Sequence, residues 1–345
     1  MFTTSEEFGV SEEFDWMAPV SPEGNDLPPR VLVLAGGLSF EREVSLRSGR
    51  RVLDALRSVG IEDVEIRDAD ATLLPILTAD PPDAVFIALH GAPGEDGSLR
   101  GVLELVGVPY VGSDAHAARV AWDKPTAKAV LREAGLSTPD WVALPHEMFS
   151  VLGAGAVLDR LVARLGLPLM VKPAQGGSGL GAHVVRTPED LPTAMVGCFA
   201  YDSTALIERY VSGAEIAVSV IDFGDGPQAL TPVEIVPSAG IYDYTARYTA
   251  GVTTWHTPAR LPDEVAAEAA RVAIAAHNAL GLRDLSRVDL IVDPDGGIHV
   301  LEVNVAPGMT ETSLLPMALR ASSLELGEVL RRLVTRAIRR TVTAS

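Results

Sequence analysis

A hairpin near the carboxyl end of the chain constrains the fold more than any other segment. Residues 286–292 and 298–304 are rich in apolar and β-branched residues, yet each segment contains an acidic residue, a type that strands generally lack. The sequence Asp293-Pro294-Asp295-Gly296-Gly297 between them is a strong turn signal. The two segments are therefore predicted to pair as an antiparallel β-hairpin.

The position of the turn decides which residues of this hairpin face each other. If the turn centres between Asp295 and Gly296, the facing pairs include Asp289 with Glu302 and Arg287 with Asn304. Because side chains alternate across a strand, all four should project from one face. Two carboxylates and an amide oxygen form a site suited to Mg²⁺, with the arginine left to hold a phosphate. The alternative is a pair of ordinary solvent-facing acids, which repel each other when no cation lies between them.

Residues 169–185 predict two strands joined by a glycine-rich loop. Small residues let backbone amides approach phosphates, and the loop supplies Gly176, Gly177, Gly179 and Gly181. The loop runs from strand to strand, so it fits neither a Walker loop nor a dinucleotide fingerprint, both of which lead into a helix. Lys172 adds a cation at the base of the loop. A hairpin that binds no ligand is the alternative for this loop taken alone.

The first part of the chain alternates strand and helix patterns. The runs at 31–35 and 84–89 are apolar and strand-like, and the first leads through Gly36-Gly37 into a helical pattern. An open α/β domain is predicted here, with ligands beyond the carboxyl ends of the strands. Asp123 is the predicted N-cap of the next helix. From Ala205 we expect strands, and then two helices at about 263–280 and 325–339.

Charge and composition narrow the class of protein. The formal net charge of −18 disfavours nucleic acid as a partner. Residues 1–29 contain seven acidic residues and no Lys or Arg, so we expect a disordered acidic tail and neither a secretory signal nor a transit peptide. The single Cys198 allows no intramolecular disulfide, and no apolar run approaches the ~18 residues of a membrane span. These features predict a cytoplasmic protein with no membrane partner.

The ordered motifs resemble those of the D-alanine:D-alanine ligase family from Val31 to about Arg339. The matching blocks lie at 36–46, 88–91, 94–97, 109–113, 123–124, 171–181, 242–248, 287–289 and 302–310. The resemblance implies a three-domain α/β ATP-grasp fold. Its parts would be an N-terminal open α/β domain at 30–123, a small central α+β domain at 124–213 and a C-terminal mixed-sheet domain at 214–345.

The resemblance also implies roles for individual residues. The residues expected to bind ATP are Lys124, Lys172, Gly177, Gly179, Glu208, Arg209, Tyr210, Val211, Glu215 and Arg247. The expected ligands of two Mg²⁺ (or Mn²⁺) are Asp289, Glu302 and Asn304. The expected catalytic residues are Glu41, Ser178, Tyr248, Arg287 and Gly308. Those expected to hold the amino-acid substrates are His90, Ser313 and Leu314.

The function implied is ATP-dependent ligation of two D-alanines through an acyl-phosphate, for peptidoglycan precursor synthesis, by a homodimer. Some positions depart from the family pattern: Arg247 replaces a common lysine, Gly179 a serine, Val305 a threonine and Arg100 a glutamine. Another substrate pair, such as a specialised-metabolite dipeptide or D-alanyl-D-lactate, is therefore the main alternative. An inactive ATP-binding module is a second, and a periplasmic-type binding protein a third that does not explain the carboxylate hairpin.

Overall fold

The computed structural model describes residues 28–238, 240–249 and 251–343, apart from the side chains of Tyr248 and of residues 341–343. The predicted acidic tail lies outside the described residues, except for Pro28 and Pro29. Across these described ranges, no helix has both the length and the apolar character needed to span a membrane. The described residues are organised around three β-sheets.

The first sheet has four parallel strands and is accompanied by three helices. In chain order, its elements are β1 (Val31–Leu34), α1 (Arg42–Ser58), β2 (Val64–Arg67), α2 (Leu73–Ala79), β3 (Ala84–Ile87), α3 (Ser98–Leu105) and β4 (Tyr110–Val111). The strand order is β2-β1-β3-β4, and every residue of β1 and β3 is buried, as expected for central parallel strands. The predicted open α/β arrangement is confirmed. The loops after β1 and β3 lie at the carboxyl edge of the sheet, where ligands bind.

The second sheet is antiparallel and belongs to the middle of the chain. Its elements and the helices before it are α4 (Ala115–Trp122), α5 (Lys124–Glu133), β5 (Trp141–Pro145), α6 (His146–Leu152), α7 (Ala154–Leu165), β6 (Leu169–Pro173), β7 (His183–Val185), α8 (Leu191–Phe199) and β8 (Thr204–Arg209). The strand order is β5-β8-β6-β7. Asp123 accepts a hydrogen bond from the Thr126 amide at 3.0 Å, which confirms the predicted N-cap. The predicted pairing of β6 with β7 around the glycine loop is also confirmed.

The third sheet has six strands and makes up most of the remaining chain. Its elements are β9 (Ala214–Asp222), β10 (Pro227–Ala229), β11 (Val233–Pro237), α9 (Tyr244–Tyr248), β12 (Thr253–His256), α10 (Asp263–Ala279), β13 (Leu285–Val292), β14 (Ile298–Asn304), α11 (Leu314–Ala321) and α12 (Leu326–Thr343). The strand order is β12-β11-β9-β13-β14, and β10 pairs with β9. The two predicted helices correspond to α10 and α12, whereas the short helices α9 and α11 were not expected.

The hairpin of β13 and β14 has the predicted pairing near the site but a different register near its turn. Asp289 faces Glu302 and Arg287 faces Asn304, as predicted. Toward the turn, Leu290 instead faces Val300, because Leu301 is an extra residue that forms a β-bulge. The turn is centred on Asp295, one half-residue from the predicted centre. Because the bulge adds one residue to β14, Asp289 and Glu302 still face each other.

The first and third sheets share one hydrophobic core. Helix α1 packs against α12, and buried residues of β1 and α12, such as Val33 and Leu330, belong to the same cluster. Asp284 connects the first and third sheets. It is fully buried, accepts a hydrogen bond from the Gly112 amide at 2.7 Å and forms an ion pair with Arg340 at 2.5 Å. Helices α4 and α5 pack on the other face of the third sheet.

Candidate active site

Two adjoining cavities lie where the three sheets meet. The larger, of about 140 Å³, is lined by the second and third sheets, and the smaller, of about 80 Å³, by the loops of the first sheet and the segment after β14. Gly177 and Arg247 line both cavities and also a third space of about 30 Å³ beside them. The larger cavity thus adjoins a smaller one that is lined mainly by polar side chains.

Every residue that was expected to bind ATP lines the larger cavity. Those residues come from α5, from β6 and its glycine loop, from β8 and the chain that follows it, and from β9 and α9. Apolar residues complete its walls, among them Met170, Ile291 and Leu301. Gly179 has φ +69°, and a Cβ there would lie 3.0 Å from the backbone of Asp243, so the glycine lets the loop approach the third sheet.

Two lysines of this cavity are held by acidic residues. Lys172 Nζ lies 2.7 Å from Glu208 Oε2, and Lys124 Nζ donates to the Gly176 carbonyl at 2.6 Å and lies 3.8 Å from Glu302 Oε2. Burial lowers the pKa of Lys124. Burial also opposes the charge of Lys172, but Glu208 and Glu302 outweigh it and raise its pKa. Lys172 therefore presents positive charge to the cavity, and Lys124 places its amino group beside it.

The carboxylate hairpin forms one wall between the two cavities. Arg287 donates to both oxygens of Asp289, at 2.7 and 2.8 Å, and Arg247 Nη2 lies 4.0 Å from Glu302 Oε1. Burial would raise the pKa of Glu302, but the surrounding cations, led by Lys124, lower it to about 2. Glu302 is therefore ionised at any physiological pH. The β-bulge lets the consecutive residues Leu301 and Glu302 line the same cavity, which a regular strand would not allow.

The oxygen atoms on this wall fit a magnesium ion chemically. Asp289, Glu302 and Asn304 lie on one face, and Glu215 of the neighbouring strand lines the same cavity as both acids. Burial raises the pKa of Glu215 to about 7, with Arg247 opposing the shift and Asp289 and Glu302 adding to it. Within the described ranges, no group of three or more His, Cys, Asp or Glu side chains is placed to hold a metal. The predicted Mg²⁺ ligands are not such a group, because the third of them is the amide oxygen of Asn304.

The smaller cavity contains the residues predicted to act on or hold amino acids. Ser178 Oγ donates to the Glu41 carboxylate and so joins the glycine loop to the loop after β1. Ser178 has φ +54°, a conformation uncommon for residues other than glycine, so the loop is held in an unusual shape here. Gly308, Ser313 and Leu314 line the opposite side. The side chain of Tyr248 lies outside the described residues.

His90 and Glu95 sit together at the base of the smaller cavity. His90 Nε2 bonds Ser48 Oγ at 3.0 Å, and that hydroxyl also accepts the Met309 amide at 3.2 Å. Burial lowers the pKa of His90, so its imidazole is neutral at pH 7. Burial, aided by the charge of Glu41, raises the pKa of Glu95 to about 8. No role was expected for Glu95, because its place in a loop of the sequence does not indicate that its carboxyl group is buried.

Lys128, whose Nζ lies 2.6 Å from Glu208 Oε1, was not expected from the sequence. A signal was available, because Lys124 and Lys128 are four residues apart and share one helix face. Glu208 itself was expected among the residues that bind ATP, and its carboxylate pairs with two lysines. Burial would raise the pKa of Glu208, but Lys172 and Lys128 outweigh it and lower that pKa.

Three sheets with a cavity between the second and third, a glycine loop that covers it and a carboxylate hairpin that forms its wall define a protein of the ATP-grasp class. The comparisons with known proteins narrow the class. Residues 130–335 match the family model described as D-ala D-ala ligase C-terminus, and residues 67–113 match the D-ala D-ala ligase N-terminus. The D-alanine–D-alanine ligase of Anaeromyxobacter sp. (strain K) is 41% identical over 305 residues, which is 88% of this chain and 96% of the relative. That of Moorella thermoacetica is 40% identical over 309 residues, 90% of this chain and 99% of the relative.

Solved structures give the same result. The D-alanine–D-alanine ligase of Bacillus anthracis complexed with ATP has a TM-score of 0.76 and 31% identity, covering 92% of this chain and 100% of its own. The VanG D-Ala:D-Ser ligase of Enterococcus faecalis has a TM-score of 0.75 and 27% identity, covering 90% and 100%. The chain belongs to the D-alanine–D-alanine ligase family. The family and the fold class expected from the sequence are thereby confirmed.

Proposed function

We propose that this protein joins two D-alanine molecules into D-alanyl-D-alanine, a precursor of peptidoglycan, and converts ATP to ADP and phosphate. The observation that supports this function best is the contact between the two cavities. The larger has the apolar walls and buried lysines that a nucleotide requires, and the smaller is polar and large enough only for small molecules. Gly177 and Arg247, which line both, mark the place where a phosphoryl group would pass from one substrate to the other.

The reaction needs two steps because a carboxylate has no leaving group. In the first, a carboxylate oxygen of one D-alanine attacks the γ-phosphorus of ATP, and the bond to ADP breaks. In the second, the amine of the other D-alanine attacks the acyl carbon, and inorganic phosphate leaves. Lys124, Lys172 and Arg247 would neutralise the phosphate oxygens, and Arg287 would hold the transferred group.

Two Mg²⁺ ions would be held by Asp289, Glu302 and Asn304. When bound, they would supply positive charge to the phosphate oxygens during transfer. The ionised state of Glu302 and the all-oxygen character of the set support this assignment. Lysine and arginine side chains surround Glu302, led by Lys124. Their positive charge offsets that of the carboxylates at the wall where the nucleotide and the metal ions would bind.

The smaller cavity would hold both amino acids. Glu41 would bind the ammonium group of the first, in a network with Ser178 and Tyr248. The Gly308 amide would donate to the oxygen of the tetrahedral intermediate, while Ser313 and Leu314 would hold the second D-alanine beside neutral His90. The bond from Ser178 to Glu41 supports closure of the glycine loop over this cavity, which would protect the acyl-phosphate from water.

A phosphate-release assay tests the proposal. The enzyme is supplied with ATP, Mg²⁺ and D-alanine, L-alanine, D-serine or D-lactate as acceptor, and the products are identified by mass spectrometry. We expect ADP and D-alanyl-D-alanine to form in equal amounts, with the other acceptors far slower. Preferred formation of D-alanyl-D-serine or D-alanyl-D-lactate would assign the chain to another activity of the family, and absence of ATP turnover would overturn the proposal.

Cytoplasmic location and a homodimer are part of the same proposal. The reaction consumes ATP, which is supplied in the cytoplasm. Val102 and Leu105, one turn apart on α3, are exposed apolar side chains, and a second subunit would cover them. Analytical ultracentrifugation of wild type and Leu105→Glu tests the dimer, since the substitution should shift the protein to monomer.

A further inference from the structure

Lys128 is a buried cation that the proposed reaction does not use. It lies on α5 one turn after Lys124, and its side chain is 1% exposed. Its ammonium lies 2.6 Å from Glu208 Oε1, donates to Thr138 Oγ1 and lies 5.4 Å from the centre of the Trp141 ring. All three of these groups stabilise a positive charge on the ammonium.

The Glu208 carboxylate is shared between two lysines. Its Oε1 pairs with Lys128, and its Oε2 lies 2.7 Å from Lys172, which lines the larger cavity. One acid and two bases leave this buried trio with a net charge of about +1. Without Lys128, Glu208 would neutralise Lys172, and the trio would present no net charge to a phosphate group.

A purely structural role explains this arrangement poorly. Burying a lysine is costly, and an apolar side chain of similar volume is often as stabilising as a buried ion pair. The neighbouring helix positions Ala127 and Leu131 are apolar core residues, so the charge at residue 128 is not part of a charged face of α5. A charge at residue 128 is therefore better explained by its effect on Glu208 and Lys172.

We propose that Lys128 is a positioning residue for the nucleotide. By holding one oxygen of Glu208, it fixes the other oxygen, and hence Lys172, at the cavity wall, and it keeps the trio positive toward the phosphates. The proposal rests on the proposed function, since it takes the larger cavity as the ATP site. Its effect should appear in nucleotide affinity and not in the chemical step, because Lys128 does not line any of the three cavities described.

The test compares Lys128→Met with Arg132→Met. Arg132 lies one turn further along α5, over the same Trp141 ring at 4.2 Å, but its acidic partner is Asp140. Calorimetry with ADP and steady-state kinetics with ATP and D-alanine would measure both variants. For Lys128→Met we expect ADP binding weakened about tenfold and the KM for ATP raised to match, as for loss of a unit charge near a phosphate, with kcat within about threefold. Arg132→Met should change each value less than about twofold.

Two further variants complete the test. Lys128→Arg keeps the charge and should restore most of the affinity. Thr138→Val removes the hydroxyl that anchors Lys128 but no charge, so about threefold weaker binding is expected, and it decides the question if Lys128→Met does not fold. Wild-type ADP affinity in Lys128→Met, or in Thr138→Val where the methionine variant fails, would overturn the positioning role. If wild-type protein itself binds no nucleotide, the proposed function fails instead.

Discussion

Replacing Glu302 by glutamine should affect nucleotide binding and turnover in opposite directions. Glu302 is an ionised carboxylate 3.8 Å from Lys124 and 4.0 Å from Arg247. The substitution keeps the shape of the side chain but removes one negative charge, so the cavity becomes more positive. Nucleotide without metal should then bind more tightly, whereas the metal-dependent reaction loses a ligand.

The size of both effects can be estimated. At an effective dielectric constant of about 20, a unit charge about 8 Å from a phosphate charge contributes about 2 kcal/mol. Loss of the repulsion from Glu302 should therefore tighten metal-free ADP binding roughly ten- to thirtyfold. Loss of a metal ligand removes several kcal/mol of transition-state stabilisation, and about 4 kcal/mol lowers kcat roughly a thousandfold.

Calorimetry with ADP in EDTA and phosphate release at several Mg²⁺ concentrations would measure the two effects. Asp295→Asn is a matched control, because Asp295 is an exposed acid in the turn of the same hairpin. It should leave both quantities unchanged. If Glu302→Gln weakens metal-free ADP binding, or turns over normally at limiting Mg²⁺, the assignment of Glu302 to the metal is wrong.

Three further outcomes follow from the structure. Asp284→Asn should lower the free energy of unfolding in urea by about 3 to 5 kcal/mol, because it removes the buried charge that pairs with Arg340 and Arg336, while asparagine tolerates the φ of +65°. The fall should be absent if the pairing is not stabilising. Burial lowers the pKa of His277 to about 4 from its ordinary 6.5. As pH falls, the unfolded chain therefore takes up a proton before the folded one does, so the free energy of unfolding decreases between about pH 6.5 and 4. From pH 7 to 5 the decrease, measured in urea, should be about 2 kcal/mol. It should be absent in His277→Asn. Arg247→Lys should raise the KM for ATP about threefold, because Arg247 stacks on Tyr242 at 4.4 Å and lysine lacks the planar group; an unchanged KM in steady-state assays would contradict this.

Features set by local chemistry could be predicted from the sequence. The Pro-Asp-Gly-Gly turn between two strand-like runs predicted a hairpin. The acid pair at 289 and 302 faces as predicted because the bulge at Leu301 compensates for a turn centred half a residue before the expected position. Asp123 caps its helix through its own side chain, which requires only the next three residues. The ten residues expected around ATP came from the family resemblance, and all of them line one cavity.

Features set by distant contacts could not be predicted. The bond from Gly112 to Asp284 joins residues 172 positions apart, and nothing in either segment indicates the other. The raised pKa of Glu95 depends on burial among loops from different parts of the chain. The bulge at Leu301 has no signal of its own, because an apolar residue between Val300 and Glu302 looks like an ordinary strand position.

The bulge has a consequence for comparing this chain with its relatives. The turn and the acid pair differ in register by one residue, and Leu301 absorbs the difference. A relative with one residue fewer between the turn and the glutamate could keep the same acids face to face, since the missing residue would be the bulge. An alignment would show only a single gap between intact motifs, but the nucleotide cavity would have lost the apolar side chain of Leu301. A one-residue gap at this position therefore indicates a change in the apolar wall of the larger cavity, even where the acid pair and its neighbours are preserved.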